Sequence, residues 1–266
     1  MKILILDIGG THVKIYGPGR LQPIKLASGP ALTPKKMLKA VLRATEGLQY
    51  DAISIGYPGP VVHGKPVRDP ANLGNGWVGF DFHTTFKRPL KVINDAAMQA
   101  LGSYRGGRML FLGLGTGLGS ALIVEGVLEP LEVAHLPYKH AKTFEHYVGE
   151  AARKRLGEKK WSKEVFEVVA ELKQALQADY VVLGGGNAKR LKPLPRATFL
   201  GGSGNARLGG LRLWRGYPQR KKVTRHRGAI EPRLSDAKYR KAGPFKAAHR
   251  ARPAFNSNIS VTDDSA

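Results

Sequence analysis

The sequence predicts an α/β protein with mixed sheets in two lobes, followed by a basic tail. Three observations support this. Closely spaced strand-like runs at 2–6, 12–16 and 21–26 indicate an antiparallel meander. Strands and helices then alternate as far as residue 214, which is typical of α/β folds. Beyond it, basic residues dominate and no hydrophobic period is sustained, which predicts a flexible, disordered tail.

The elements between the meander and the tail follow from local patterns. The segment TPKKMLKAVLRATEGL predicts a helix with Thr33 as N-cap and Pro34 in its first turn. Further helices are expected over 143–156 and 161–177. Apolar runs that end in polar or glycine-rich turns predict further strands, namely DAISIGYPG, LKVIND, MLFLGLGTG, SALIVEG and YVVLGGG.

The chain has 266 residues, of which 42% are hydrophobic, enough to bury one large core or two lobes. We place an amino-terminal lobe over 1–88, a carboxyl-terminal lobe over 89–214 and the tail over 215–266. The absence of cysteine excludes disulfides and thiolate metal sites. No apolar run approaches the roughly 20 residues that span a bilayer, and no signal-peptide cleavage pattern follows the first strand. We therefore expect a cytoplasmic protein without a membrane partner.

The net charge of +23 is large and predicts attraction to polyanions such as phosphate polymers, nucleic acid or anionic membranes. The tail contributes +9 of this charge, and the part before it is itself basic at +14. A basic tail is more often a solvated segment than a recognition element, so any contact with nucleic acid is expected to be nonspecific.

The first strand runs into an acid and two glycines, in the stretch ILDIGGTHVK. This pattern is compatible with a plain hairpin turn. It is also compatible with a phosphate site, in which bare backbone N–H groups and the Thr11 hydroxyl face an anion and the Asp7 carboxylate faces a metal.

The strand-into-glycine pattern recurs twice, in GLGTGLG (113–119) and in LGGGNAKR, where a helix is expected to begin at Asn187. Each copy alone is most often a turn, but three in one chain suit a cleft that holds a chain of phosphates. A dinucleotide fingerprint is rejected for 113–119, because a strand rather than a helix follows. Between the clusters, Asn94 and Asp95 end a buried strand; they suit a helix N-cap, or a general base beside a substrate-orienting amide.

The ordered set of motifs resembles the ROK-family sugar kinases, members of the actin-like ATPase superfamily. The matching segments are DIGGT with Lys14, GYPGPV, ANLGNGWVG, INDAAMQALG, GLGTGLGSALI, LEVAH and VVLGGGNAKRL. The segment HLPYKHAKTFEHYVGEAARKRLGEKKW particularly resembles the polyphosphate glucokinase branch. The resemblance covers residues 1 to about 214 and implies a two-lobed actin-like ATPase (ribonuclease H-like) fold with the active site between the lobes.

On the donor side, the resemblance implies that Asp7 lies near Mg²⁺, directly or through a water, and near the phosphates. Three glycine turns would then bind the phosphate donor. The residues concerned are Asp7, Gly9, Gly10, Thr11, Lys14, Gly115, Thr116, Gly117, Gly184, Gly185 and Gly186.

On the sugar side, the resemblance implies that Asp95 is the catalytic base. The other sugar-binding residues would be Asn72, Asn94, Glu132, His135 and Glu145. The family's usual zinc site cannot form without cysteine, so His135 is assigned to sugar and no zinc is expected. Ala134 replaces the glycine that usually precedes this histidine.

The function expected from this resemblance is a hexose kinase, most simply a glucokinase that transfers a phosphoryl group from polyphosphate or ATP to the 6-hydroxyl of glucose. Alternatives are an ATP-only kinase for another hexose and a non-catalytic sugar-responsive regulator. The related repressors carry an amino-terminal helix-turn-helix, for which the strand beginning at Ile3 is expected to leave no room. A homodimer is expected, as in many relatives.

Overall fold

The computed structural model describes residues 1–215. Twelve strands and six α-helices lie in this part of the chain. The predicted tail, apart from Arg215 at the end of the last helix, lies outside the described residues.

Five strands form the first sheet: β1 (Ile3–Ile8), β2 (His12–Tyr16), β3 (Ile24–Ala27), β4 (Ala52–Tyr57) and β7 (Leu90–Asn94). Their order is β3-β2-β1-β4-β7. The first three strands are antiparallel, which confirms the predicted meander, and β4 is parallel to β1 and to β7. A two-stranded hairpin, β5 (Val61–Val62) with β6 (Lys65–Pro66), follows β4.

Five strands also form the second sheet: β8 (Arg108–Leu114), β9 (Leu118–Val124), β10 (Val127–Leu131), β11 (Tyr180–Gly184) and β12 (Thr198–Leu200). Their order is β10-β9-β8-β11-β12. β9 is antiparallel to both of its neighbours, whereas β11 is parallel to β8 and to β12. Parallel strands end at one edge of a sheet, so the glycine turns after β8 and β11 lie side by side.

The helices are α1 (Pro34–Ala44), α2 (Phe82–Phe86), α3 (Asp95–Ser103), α4 (Phe144–Val148), α5 (Glu150–Ala175) and α6 (Asn205–Arg215). Thr33 caps α1 as predicted, because its side chain accepts a hydrogen bond from Lys36 N. The region predicted to form helices over 143–156 and 161–177 is helical but divided differently. Helix α4 ends at Val148, and α5 contains the rest of the first predicted helix and the second one up to Ala175, with an interruption at Gly157, where φ is 75°.

The prediction of a helix beginning at Asn187 is wrong, since one turn of 3₁₀ helix, Ala188–Arg190, occupies this position. Asn187 donates its backbone N–H to Leu114 O at 3.1 Å, which fastens it to the neighbouring turn. Pro193 follows soon after, and a proline disfavours helical backbone in the residue before it.

Helices α3 and α6 pack against each other at two glycines. A Cβ at Gly102 would collide with the backbone of Asn205, and one at Gly209 would collide with Met98 O. Helix α6 also contacts β1 and β4, where Ser54 Oγ donates to Gly210 O at 2.7 Å. Helix α3 thus lies between α6 and the second sheet, with its amino terminus at the end of β7.

None of the helices within residues 1–215 is long and apolar enough to cross a bilayer. Each sheet has its own apolar core. Trp161, Val165 and Leu172 of α5 cover one face of the second sheet, and Met37 and Val41 of α1 cover the first. The boundary between lobes at residues 88 and 89 stays a prediction.

Candidate active site

An ion pair lies at the end of the first strand. Asp7 and Lys14 are directly opposite each other in the β1–β2 ladder, and Lys14 Nζ lies 3.0 Å from Asp7 Oδ2. Burial by itself lowers the pKa of Lys14, but the charge and hydrogen bond of Asp7 outweigh it, so the pKa is raised. Asp7 is 4% exposed. The acid that ends the first strand is therefore buried and paired with a lysine from the neighbouring strand.

Asp95 lies at the same edge of this sheet, at the start of α3. Between β1 and β7 runs β4, where Gly56 is paired with Asp7 on one side and Ile93 on the other. A Cβ at Gly56 would lie 3.4 Å from Asp95 Cα and would collide with Met98. The missing side chain at Gly56 thus lets α3 approach the sheet closely.

Asn94 fixes the beginning of α3. Its Oδ1 accepts a hydrogen bond from Ala97 N at 3.0 Å, which is the predicted N-cap. Its Nδ2 donates to Gly59 O at 3.1 Å. Both polar atoms of the Asn94 side chain therefore have partners within the protein, and this side chain is 7% exposed.

Asp95 is half-buried, and from the described part of the chain its carboxylate accepts only a local hydrogen bond, from Ala96 N to Oδ1 at 2.8 Å. Burial, together with the negative charges of Asp7 and Glu132, raises the pKa of Asp95 to about 7, against the opposing effects of Ala96 N and Lys14. A carboxyl group with this pKa exchanges a proton near neutral pH, which is the property required of a general base.

The first glycine turn lies against Asn72. Gly9 N donates to His12 O at 3.0 Å, which closes the turn between β1 and β2. A Cβ at Gly10 would lie 3.3 Å from Cβ of the exposed Asn72. The structure therefore brings Asn72 against Gly10, and Thr11 is exposed beside them.

The second and third glycine turns contact each other. Gly185 has φ 81°, and a Cβ there would collide with the backbone of Leu114. Asn187 Nδ2 donates to Gly115 O at 3.3 Å and to Glu150 Oε2 at 2.9 Å. The turns at 115–117 and 184–186 thus form one continuous rim, as their common sheet edge requires.

Glu145 supports the second turn from α4. Its Oε2 accepts a hydrogen bond from Leu118 N at 3.1 Å, and a Cβ at Gly117 would collide with this carboxylate. Glu145 also interacts electrostatically with Glu132 and raises the pKa of that group. Glu145, a predicted sugar ligand, is therefore hydrogen-bonded to the backbone next to a predicted phosphate turn.

Glu132 and His135 are exposed and flank a single 3₁₀ turn, Val133–His135. Burial raises the pKa of Glu132, and the positive fields of His135 and Arg68 partly oppose this rise. Glu132 in turn raises the pKa of Asp95. Glu132 and His135 therefore belong to the same electrostatic neighbourhood as Asp95.

Arg68 and Glu150 also lie at the candidate site but were not predicted as site residues. Arg68 is exposed and acts on Glu132, and its backbone oxygen accepts the Tyr57 hydroxyl at 2.8 Å. Glu150 binds Asn187 and Arg153, which ties α5 to the third turn. No motif singled out Arg68, whereas Asn187 directly follows the third glycine cluster.

The carboxylates of the candidate site could bind a divalent cation only together with other ligands. Among residues 1–215 no group of three or more His, Cys, Asp or Glu side chains is arranged to hold a metal ion. Mg²⁺ needs no such group, since it usually binds through one or two carboxylates together with phosphate oxygens and waters. Asp7, at the end of its strand, meets this requirement.

The fold is that of the ROK-family sugar kinases. It matches the inorganic polyphosphate/ATP-glucomannokinase of Arthrobacter sp. strain KM with a TM-score of 0.66 and 24% identity, over 79% of this chain and 95% of that chain. It also matches a ROK-family glucokinase of Streptomyces griseus, solved with glucose and AMPPNP, with a TM-score of 0.62 and 18% identity, over 80% and 99% of the two chains.

In sequence, the chain is similar to polyphosphate glucokinases. The identity to that of Mycobacterium tuberculosis (strain ATCC 25618 / H37Rv) is 29% over 206 residues, covering 70% of this chain and 77% of the relative. For the Mycobacterium leprae protein it is 27%, covering 63% of the relative. No protein-family model matches the chain. These similarities confirm the resemblance expected from the order of the motifs.

Proposed function

We propose that this protein is a glucokinase that transfers a phosphoryl group from polyphosphate or ATP to the 6-hydroxyl of glucose. The observation that carries the proposal is the position of Asp95. Its carboxyl group, with a pKa of about 7, begins a helix beside the Asp7–Lys14 pair. The sequence similarity to polyphosphate glucokinases supports the choice of acceptor and donor.

Asp95 acts as the general base in this proposal. A sugar hydroxyl is a poor nucleophile, so a carboxylate must take its proton as the new bond to phosphorus forms. The Asn94 side chain already caps α3 and binds Gly59 O, so its amide is held rigidly beside the base. A glucose hydroxyl that contacts Asn94 would be placed by a group that does not move.

The donor phosphates are assigned to the glycine turns and to Asp7. The turns offer backbone N–H groups without intervening side chains, and phosphoryl transfer depends mainly on positioning and on neutralising charge. Asp7 would hold Mg²⁺, directly or through a water, and the ion would supply positive charge to the phosphate oxygens. Lys14, whose side chain is 43% exposed, extends this positive charge toward the first turn.

The sugar is assigned to Asn72, Glu132, His135 and Glu145, of which Asn72 and Glu145 lie directly against the glycine turns. Exposed carboxylate and imidazole groups can hydrogen-bond ring hydroxyls, and few such contacts decide which hexose is accepted. We propose that His135 binds sugar rather than zinc.

Polyphosphate is proposed as a donor because the basic surface continues past the turns. Arg153 and Arg190 share Glu158 Oε1, with Arg190 at 3.3 Å, and Lys154 nearby is 73% exposed. A longer polymer makes more contacts with such a surface, so its affinity should rise with length.

The donor assignment is tested by measuring KM for polyphosphates of increasing length, at low and high salt, with ATP as the comparison. We expect KM to fall with length and to rise more steeply with salt for the polymer than for ATP. Turnover with ATP alone, and none with a polymer of any length at low salt with Mg²⁺ present, would overturn the polyphosphate assignment.

A homodimer and a purely nonspecific contact with nucleic acid complete the proposal. Light scattering measures the first. Competition of polyphosphate with unrelated DNA sequences of equal length measures the second, and we expect equal inhibition by all sequences.

A further inference from the structure

A cavity lies at the edge of the second sheet where β11 begins, outside the candidate active site. It has a volume of about 490 Å³, within the roughly 300–1,000 Å³ typical of small-molecule sites. Its lining comes from the last turns of α5, the connection to β11 and the segment before β12. The lining residues are Val169, Ala170, Lys173, Gln174, Gln177, Ala178, Pro195, Arg196 and Thr198.

This cavity and the glycine turns lie at opposite ends of β11. Ala178 lines the cavity just before the strand begins at Tyr180, and the third glycine turn follows its last residue, Gly184. A strand rises about 3.3 Å per residue, so the two ends are separated by about 13 Å or more. A ligand in the cavity would not touch Asp95 or the phosphate turns.

The lining is positively charged and contains no acid. Lys173 is half-buried and Arg196 is exposed, and neither forms an ion pair with an acid among residues 1–215. Elsewhere cations such as Arg153, Lys139 and Lys14 do pair with carboxylates. Two unpaired cations beside an apolar wall create a local positive potential that attracts an anion.

The remaining polar groups suit a ligand that carries hydroxyls as well. Gln174 and Gln177 are exposed at the cavity, and each amide offers both donors and an acceptor. Thr198 is 6% exposed, and its Oγ1 has no hydrogen-bond partner in the described part of the chain. A buried hydroxyl without a partner is unusual in proteins and calls for a group that satisfies it.

We propose that this cavity binds a small phosphate-bearing molecule, with Lys173 and Arg196 on the phosphate and the two glutamines on hydroxyls of its body. The Thr198 hydroxyl, which has no partner in the described part of the chain, is assigned to the same ligand. The bound ligand contacts both the end of α5 and the segment that leads into β12. Its binding is independent of glucose binding at the candidate active site.

The test is calorimetric titration of the full chain with inorganic phosphate and with glucose 6-phosphate at constant ionic strength. The double variant Lys173→Gln/Arg196→Gln is compared with Lys35→Gln/Lys39→Gln on α1, which carries the same change of charge on an exposed remote face. We expect the double variant to lose affinity by about tenfold or more, because each lost contact involves a charged group. The α1 control should bind like the wild type.

Two further measurements keep the test decisive. Thr198→Val preserves shape and should weaken binding about fivefold, through one lost hydrogen bond, without lowering the melting temperature. The binding that the Lys173/Arg196 variant loses is the binding at the cavity. If this part is tighter for glucose 6-phosphate than for phosphate, the ligand is a phosphorylated sugar, and if it is equal, the ligand is the free anion. Equal affinity in the Lys173/Arg196 variant and the α1 control, or no binding to the wild type, would overturn the site. The double variant should phosphorylate glucose at the wild-type rate. This measurement distinguishes a failure of the cavity proposal from a failure of the proposed kinase activity.

Discussion

Replacing Asp95 by Asn should abolish most turnover and at the same time stabilise the protein. The substitution removes the proposed base but keeps the shape of the side chain, and Oδ1 can still accept the hydrogen bond from Ala96 N. We expect kcat to fall about 10²–10⁴-fold, the range typical of losing a general base, while glucose binding is largely retained.

The stabilisation follows from the pKa of Asp95. Because its pKa is raised to about 7, the folded state binds more protons than the unfolded state between its ordinary value and neutral pH. Stability therefore falls as pH rises through this window. The full shift corresponds to about 4 kcal/mol, and partial exposure of the side chain screens part of it, so we expect a gain of about 1–2 kcal/mol in the variant at about pH 8 and little at about pH 4.

The assay pairs steady-state kinetics with denaturant unfolding of both proteins across this pH range. In the wild type, kcat/KM should rise with pH through an apparent pKa near 7, as Asp95 loses its proton. If Asp95 were only part of the helix cap, the variant would keep its turnover and show no gain in stability at high pH, because asparagine caps a helix about as well as aspartate. That result would refute the argument.

Three other changes have defined outcomes. Alanine in place of a proposed sugar ligand should weaken glucose binding, as measured by calorimetry. Metal analysis of the wild type should find no stoichiometric zinc. A tightly bound zinc that is lost in His135→Ala would contradict the assignment of His135 to sugar. The residues replaced one at a time are Glu132, His135 and Glu145. Truncation after Trp214 should leave a folded, active protein. Truncation after Gly204 should prevent folding, because it removes α6 with its contacts to the first sheet. If the chain truncated after Trp214 melts far lower than the full chain, the boundary lies elsewhere. Gly185→Ala should lower the stability of the protein by about 2 kcal/mol or more, because φ at this position is positive and a Cβ would collide with Leu114. The control variant Gly186→Ala should melt like the wild type, because a Cβ there has no neighbour within 4 Å. Equal melting temperatures of the two variants would show that the turn relaxes freely.

The sequence carried enough information for eight of the twelve strands and for the position of each glycine turn, but not for the hairpin β5–β6 or for β10 and β12 at the outer edges of the second sheet. Alternation and apolar runs mark strands directly, and the cap at Asn94 follows from a polar residue between a strand and a helix. The role of Gly56 could not be predicted, because the close approach of α3 depends on packing between strands that are distant in sequence.

Other features depend on tertiary contacts for the same reason. The helix expected at Asn187 is replaced by a short 3₁₀ turn, because Leu114 O and Gly115 O compete for its donors. Arg68 lies in no recognisable motif, and only the fold brings its charge close to Glu132.

The proposed activity is tested most directly by measuring glucose 6-phosphate formation by the full chain with Mg²⁺, with polyphosphate and ATP each offered against several hexoses. We predict phosphorylation of glucose by polyphosphate, and its loss in Asp95→Asn. Binding of glucose without product from any donor would contradict the kinase assignment and would favour a sugar-responsive regulator.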